Sequence, residues 1–204
     1  MTTKHVAPGK PTNEKNYTEG LLHRQSAWWK QFFNVQYPYK RNIQSLKPGF
    51  VLDVGCGIGR NLLHLDGNGI GVDHNPTSIE VSQSRGLEAY TVDDFLRSHY
   101  NKPGTFDSIL LAHVAEHMIG DDFVLVLQQY IHLLKYEGKI IIITPQEKGF
   151  KSDDTHVQFM DFDTIKKLLL RVGFKTIKQY SFPFFKFIGH FFKYNEFITI
   201  AIKQ

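Results

Sequence analysis

Val51-Leu-Asp-Val-Gly-Cys-Gly-Ile-Gly-Arg60 is the stretch on which the reading of this chain turns. Phe50 to Val54 are apolar except for Asp53, the pattern of a parallel strand buried on both faces. Gly55, Gly57 and Gly59 follow at once. Without a Cβ they admit left-handed backbone and let a ligand come close to the main chain. Asn61, Leu62, Leu63, His64 and Leu65 then continue as a helix. Strand, glycine turn and helix make the first βα unit of an open α/β sheet, in which ligands bind at the carboxyl ends of the strands.

Gly69-Ile-Gly-Val-Asp73 supplies the next strand and ends in an acid twenty positions after Asp53. An acid at that tip is placed to accept hydrogen bonds from both ribose hydroxyls of an adenosine. A dinucleotide and S-adenosylmethionine (SAM) both carry one. The turn Gly55-Cys-Gly-Ile-Gly59 lacks the longer dinucleotide spacing. Asp53 sits inside the strand before the turn, where a carboxylate helps to hold an ammonium group, and SAM has one. Asp53-Val-Gly-Cys-Gly-Ile-Gly59 resembles the first motif of the class I SAM-dependent methyltransferases, and the resemblance runs from about Leu46 to the C-terminus. It implies a Rossmann-like seven-stranded α/β sheet, mostly parallel with a C-terminal antiparallel hairpin, and helices on both faces. It also implies SAM contacts from Asp53, Gly55, Cys56, Gly57, Gly59, Asp73, His74 and His113. Asp93 or Asp94 then takes the adenine amino group, or Asp93 only caps a short helix, and Phe95 flanks the ring.

The 204 residues, 42% of them hydrophobic, suffice for one domain with a sizeable core. No apolar run reaches the roughly 18 residues of a membrane span, and the N-terminus has no apolar signal region, so a cytoplasmic location is expected. Cys56 is the single cysteine, which excludes an intrachain disulfide and reads as a small residue filling the turn. A net charge of +4 allows an anionic partner without arguing for nucleic acid. The oligomeric state is open.

Taken in order, residues 1–15 read as a polar arm and 16–47 as a helical lid on a single domain that runs to residue 204. Tyr17, Trp28 and Trp29 are candidate lid residues, or they pack this segment on the sheet. Asn75 and Pro76 cap and open a helix that ends near Gly86. Strands are predicted over 87–92, 106–112, 139–144, 174–181 and 194–203. Asp121 and Asp122 are expected to cap a helix whose apolar face runs from Phe123 to Leu134. Residues 145–160 form a loop long enough to suggest function, and Ile165, Leu168, Leu169 and Val172 mark a helix.

His113-Val-Ala-Glu-His117 meets the end of the fourth strand, beside the donor methyl in the resembled family. A hydroxyl acceptor must lose a proton, and histidine has the right pKa range. His113 and His117 are the first candidates and His156 the third. His113, Glu116 and His117 also resemble a metal signature of ubiquinone-biosynthesis O-methyltransferases and of small-RNA 3′-terminal 2′-O-methyltransferases, the latter adding a later histidine that His156 matches. His113 stands where those families have a carboxylate, and three histidines with one glutamate suit zinc or iron better than magnesium. Otherwise Glu116 and His117 only shape the pocket. Phe182 to Phe192 holds six phenylalanines in eleven residues. It reads as an apolar pocket for a lipid-like acceptor, as aromatic packing on the N-terminal segment, or as a dimer-forming surface. The expected activity is methyl transfer from SAM to a small-molecule acceptor, at oxygen before nitrogen or carbon. The alternatives are RNA-end methylation with a metal, a nicotinamide-dependent oxidoreductase, and SAM binding without turnover.

Overall fold

The computed structural model describes residues 33–203 together with Glu19. The proposed arm and the lid residues Tyr17, Trp28 and Trp29 lie outside the described residues. Seven strands form one sheet in the order β3-β2-β1-β4-β5-β7-β6. They are β1 (Val51–Val54), β2 (Gly69–Asp73), β3 (Ala89–Thr91), β4 (Phe106–Ala112), β5 (Leu134–Pro145), β6 (Phe174–Phe182) and β7 (Glu196–Lys203). The first five pair in parallel, and β7 is antiparallel to both neighbours. This is the expected Rossmann-like sheet closed by a C-terminal hairpin.

The central strands are largely apolar because they face two cores. Leu52, Val54, Ile70, Val72, Ile109 and Leu111 point to one, Val51, Leu110, Ile141 and Ile198 to the other. Alternate residues of a strand face opposite sides. The first core is covered by α4 (Val92–Arg97), α5 (Gly120–Tyr130) and α7 (Phe162–Arg171), through Phe95, Phe123, Leu127, Ile165 and Leu169. The second is covered by α1 (Phe33–Ser45) and the single-turn α2 (Arg60–His64), through Ile43 and neighbouring Leu65. The remaining helices are α3 (Pro76–Ser84) and the short α6 (Glu147–Phe150). Among the described residues no helix is long and apolar enough to cross a membrane.

Several boundaries differ from expectation. The third strand stops at Thr91 because its side chain accepts from Asp94 N and starts α4 at Val92. Asp121 and Asp122 do not cap α5. Gly120 N donates to Gln158 Oε1 instead, and the two acids lie in the first turn, where the helix dipole favours them. The helix ends at Tyr130, and Leu134 already pairs with Phe106 at the start of β5. The loop over 145–160 contains α6. Asn75 caps α3 by accepting from Thr77 N and Ser78 N, and Asp161 caps α7 through Thr164 N.

Asn195 anchors the phenylalanine-rich connection. Fully buried, it accepts from Phe184 N at 2.9 Å, and its amide donates toward the Phe184 and Phe185 carbonyls, Ser181 Oγ and Gln146 Oε1. Gln146 Nε2 donates in turn to Ser181 Oγ and to the Glu196 carbonyl. A Cβ on Gly189 would run into the Gln146 side chain, so the turn over 186–190 lies hard against this network.

Candidate functional site

The glycine turn is fastened to the tip of β2. Gly55 N and Cys56 N both donate to the Val72 carbonyl, at 2.8 and 3.1 Å. Gly57 N donates to Asp73 Oδ2 and Asn75 N to Asp73 Oδ1, each at 2.8 Å. Asp73 therefore clamps the turn, and Oδ2 keeps acceptor capacity for a further donor. Gly55 has φ 75°, and a Cβ there would collide with Val114, so both backbone and packing require glycine.

Beneath the turn, Asp53 is fully buried and no well-formed hydrogen bond reaches either carboxylate oxygen, with the Asn61 side chain the donor that favours its charge. Burial pushes its pKa up to about 7, against the lowering influence of Arg60 and Asn61. A buried carboxylate without a partner is costly. It is the feature expected where a cationic ligand completes the site.

A cavity of about 480 Å³ opens here. Gly55, Cys56, Gly57, Arg60 and Asn61 line it together with His113, His117, Asp153, His156 and Glu196. Tyr39 and Tyr194 belong to its rim, where Tyr39 Oη donates to the Tyr194 carbonyl at 2.7 Å and ties α1 to the start of β7. Of the residues predicted to bind cofactor, Gly55, Cys56, Gly57 and His113 line this cavity. Asp53 lies under its floor, Gly59 starts α2 with φ 78°, and Asp73 is nearly covered. His74 sits beside Asp73, with Nδ1 3.3 Å from Oδ1. Asp93 and Asp94 are exposed in the first turn of α4. Asp94 accepts from Thr91 Oγ1 at 2.6 Å and from Arg97 at 2.7 Å, and these bonds hold its carboxyl below the usual range. Phe95 corrects the expectation of a ring-flanking role. It is fully buried, with Phe106 and Tyr130 as its aromatic neighbours. Burial, with Asp53 and Asp73 nearby, drives the Cys56 thiol far up, in keeping with a packing role.

His113 also departs from expectation. It stands at φ 60° with Nε2 2.8 Å from Glu196 Oε1 and Nδ1 3.2 Å from Glu116 Oε1. Burial lowers its pKa, but the Glu116 and Glu196 carboxylates outweigh that and raise it to about 9. A cation with both N–H groups facing carboxylates has no lone pair for a proton or a metal. Both His113 nitrogens thus face carboxylates, and the cluster of possible ligand atoms comprises Glu116, His117 and His156 without it.

His117 and His156 are differently held. His117 Nδ1 lies 3.1 Å from Thr155 Oγ1 and 3.3 Å from the Thr155 carbonyl, and Thr155 Oγ1 spends its own proton on Asp153. His156 Nδ1 lies 2.7 Å from the Phe150 carbonyl. A carbonyl only accepts, so each ring carries a proton on Nδ1, which leaves Nε2 as the nitrogen that can act on a bound molecule. Burial lowers the His117 pKa, with Glu116 working against it and His156 reinforcing it. His117 is thus neutral at pH 7. Glu116 is fully buried, and no well-formed hydrogen bond completes either oxygen. Glu116, His117 and His156 offer ligand atoms within 4.8 Å of one another. Two imidazoles and a carboxylate, each imidazole fixed by its second nitrogen, is a donor set that fits zinc or ferrous iron.

Arg60, Asn61, Tyr39, Tyr194 and Glu196 were not singled out from the sequence. Arg60 and Asn61 carry a local signal, since they are the first turn after the glycines. Glu196 carries none, because it reaches the site through the register of β7, which pairs it with Pro145 of β5 and Phe182 of β6.

The chain is 30% identical over 129 residues to ajmaline N-methyltransferase of Rauvolfia serpentina, an alignment spanning 54% of this chain and 43% of that protein. The match thus spans less than half the length of that curated relative. Among solved structures, a TehB-like SAM-dependent methyltransferase from Corynebacterium glutamicum superposes with a TM-score of 0.68 at 20% identity, over 94% of this chain and 100% of that one. Magnesium protoporphyrin IX methyltransferase from Synechocystis with bound SAM gives a TM-score of 0.64 at 13% identity, over the full length of both. Residues 33–179, most of the chain, match the methyltransferase domain family, and the protein belongs to that family.

Proposed function

We propose that this protein moves a methyl group from SAM to a hydroxyl of a small acceptor, with His117 taking the proton. The observation that carries the reading is the pairing of two features of one cavity. Asp53, buried with no well-formed hydrogen bond on either oxygen, immediately precedes the glycines that line it, and a neutral imidazole with a free Nε2 lines it too. Bound SAM supplies an electrophilic methyl carbon on its sulfonium. Asp53 suits its ammonium, Arg60 its carboxylate, the amides of the turn its main-chain contacts, and Asp73 its ribose hydroxyls. His117, Asp153 and His156 line the cavity, so it selects a polar acceptor atom. None of the six phenylalanines over 182–192 lines this cavity, which does not support an apolar acceptor pocket built from that stretch.

Calorimetry with SAM tests the donor half. Asp53→Asn and Asp73→Ala should each weaken binding about tenfold or more, the loss expected for a hydrogen bond to a charged group; unchanged affinity in both would remove the assignment. The pH dependence follows from Asp53. Its folded pKa is raised to about 7, so its neutral form favours the unliganded fold, a contribution present at low pH and lost as pH rises through 7. A cationic ligand needs the ionised form. Binding should therefore release a proton below pH 7, and affinity should fall toward acid pH, an effect absent from Asp53→Asn.

One observation favours a metal-assisted version of this chemistry, namely the buried Glu116 carboxylate, which faces His113 on one side, clustered with His117 and His156 on the other. A divalent ion there would lower the pKa of the acceptor hydroxyl. In that case protein purified without chelators should carry about one zinc or iron per chain. Glu116→Gln should lose the metal, and chelator should abolish turnover. Metal-free protein with full turnover would sink this version and leave the proposal with His117 as base intact.

A further inference from the structure

The connection between β6 and β7 carries an apolar patch with no described partner for its outermost rings. Phe184, Phe185, Phe187 and Phe191 are 51, 79, 62 and 80% exposed, all within eight residues. Phe185 and Phe187 stack on each other, with centroids 6.3 Å apart. Soluble surfaces seldom gather large aromatics in this way without a use for them. The patch is also rigidly built. Asn195 holds the Phe184 and Phe185 backbone, and Gly189 sits against Gln146.

The charge around the patch is basic. Lys186 and Lys193 are exposed within or beside it, and Lys148 and Lys151 are exposed on and just after α6, which packs against the 186–190 turn. His190 Nε2 lies 3.9 Å from Glu147 Oε1. A two-fold contact with a second copy would set the same lysines against one another. Exposed phenylalanines ringed by lysines instead match the boundary between acyl chains and anionic headgroups. Lys193 and Tyr194 directly follow the patch and line the cavity, so the patch and the mouth of the site share one wall.

We propose that this connection docks the protein on an anionic phospholipid surface, its phenylalanines entering the headgroup boundary and its lysines pairing with lipid phosphates. The site would then take acceptors presented at that surface. This goes beyond the methyl-transfer reading, and either can fail without the other.

Vesicle flotation of the full chain tests it. The protein should float with vesicles of phosphatidylcholine and phosphatidylglycerol, remain behind with phosphatidylcholine alone, and detach as salt is raised. Phe185→Ser with Phe187→Ser should weaken vesicle binding at least about tenfold, and Lys186→Glu with Lys148→Glu should cost about fivefold per lysine. SAM affinity should be unchanged in both variants, a check that they are folded. The proposal is overturned if the wild type stays in solution with anionic vesicles, as it would if residues 1–32 covered the patch. It is equally overturned if both variants float like the wild type, or if the phenylalanine variant abolishes self-association of a protein that never floats.

Discussion

Replacing His117 with alanine is expected to lower turnover about 10²- to 10⁴-fold, the range for loss of a positioned general base, while the affinity for SAM stays within about twofold. The reason lies in how the ring is held. Thr155 Oγ1 accepts a hydrogen bond from His117 Nδ1 and donates its own to Asp153, which fixes the tautomer and leaves Nε2 as the basic nitrogen of a cavity-lining ring. Burial lowers the His117 pKa below its usual 6.5. The protonated form is therefore scarce at neutral pH, and the rate should fall only as pH drops through a value below 6.5. Thr155→Val should blunt turnover more mildly and shift that acid limb, because it removes one anchor of the tautomer and leaves the ring in place. Added imidazole should restore part of the His117→Ala activity if the role is proton transfer. Full activity in His117→Ala, with the same pH profile, would remove His117 from the chemistry and return the choice to His156.

How much of this was legible in the sequence follows from the range over which each feature is specified. The glycine turn, Asp53 and the Asp73 tip were readable because strand, turn and helix are contiguous and each residue type has a local reason. The buried state of Asp53 was readable too, since its neighbours on both sides are apolar. Glu196 was invisible. It meets His113 only because an antiparallel strand returns 83 residues later, and no local pattern encodes that register. The same partnership made the reading of His113 fail. As a sequence element it is a histidine at a strand end, with the ordinary pKa of one. Two carboxylates brought from different elements turn it into a cation. Phe95 failed for the converse reason. Its position after the acid pair suggests a ligand, but α4 begins at Val92 and the helical turn rotates the ring into the core. The phenylalanine run was conspicuous as composition, yet its orientation depends on Asn195 and Gln146, which tie it down from outside the run.

His113→Ala should cost stability by about 3 kcal/mol at pH 7, the penalty of leaving a buried ion pair half-occupied. Glu116 is fully buried and the Glu196 side chain is 12% exposed, so neither can turn to water when the imidazolium is gone. The His113 side chain is itself 31% exposed, which places the loss toward the lower end of the range for buried pairs. Two variants separate charge from backbone. Alanine at φ 60° adds strain of its own, whereas asparagine tolerates that region and is neutral. His113→Asn should therefore remain strongly destabilised if the ion pairs matter, and should be nearly silent if only the left-handed backbone did. The pH dependence gives a second check. The folded pKa of His113 is raised to about 9, so its contribution is fully present below 6.5 and is lost as pH rises through 9. Denaturant unfolding of the wild type and His113→Asn should show a wide gap at pH 6.5 that narrows above pH 9. A gap independent of pH would mean that His113 acts by packing alone, and that the two carboxylates facing it are held by something other than this cation.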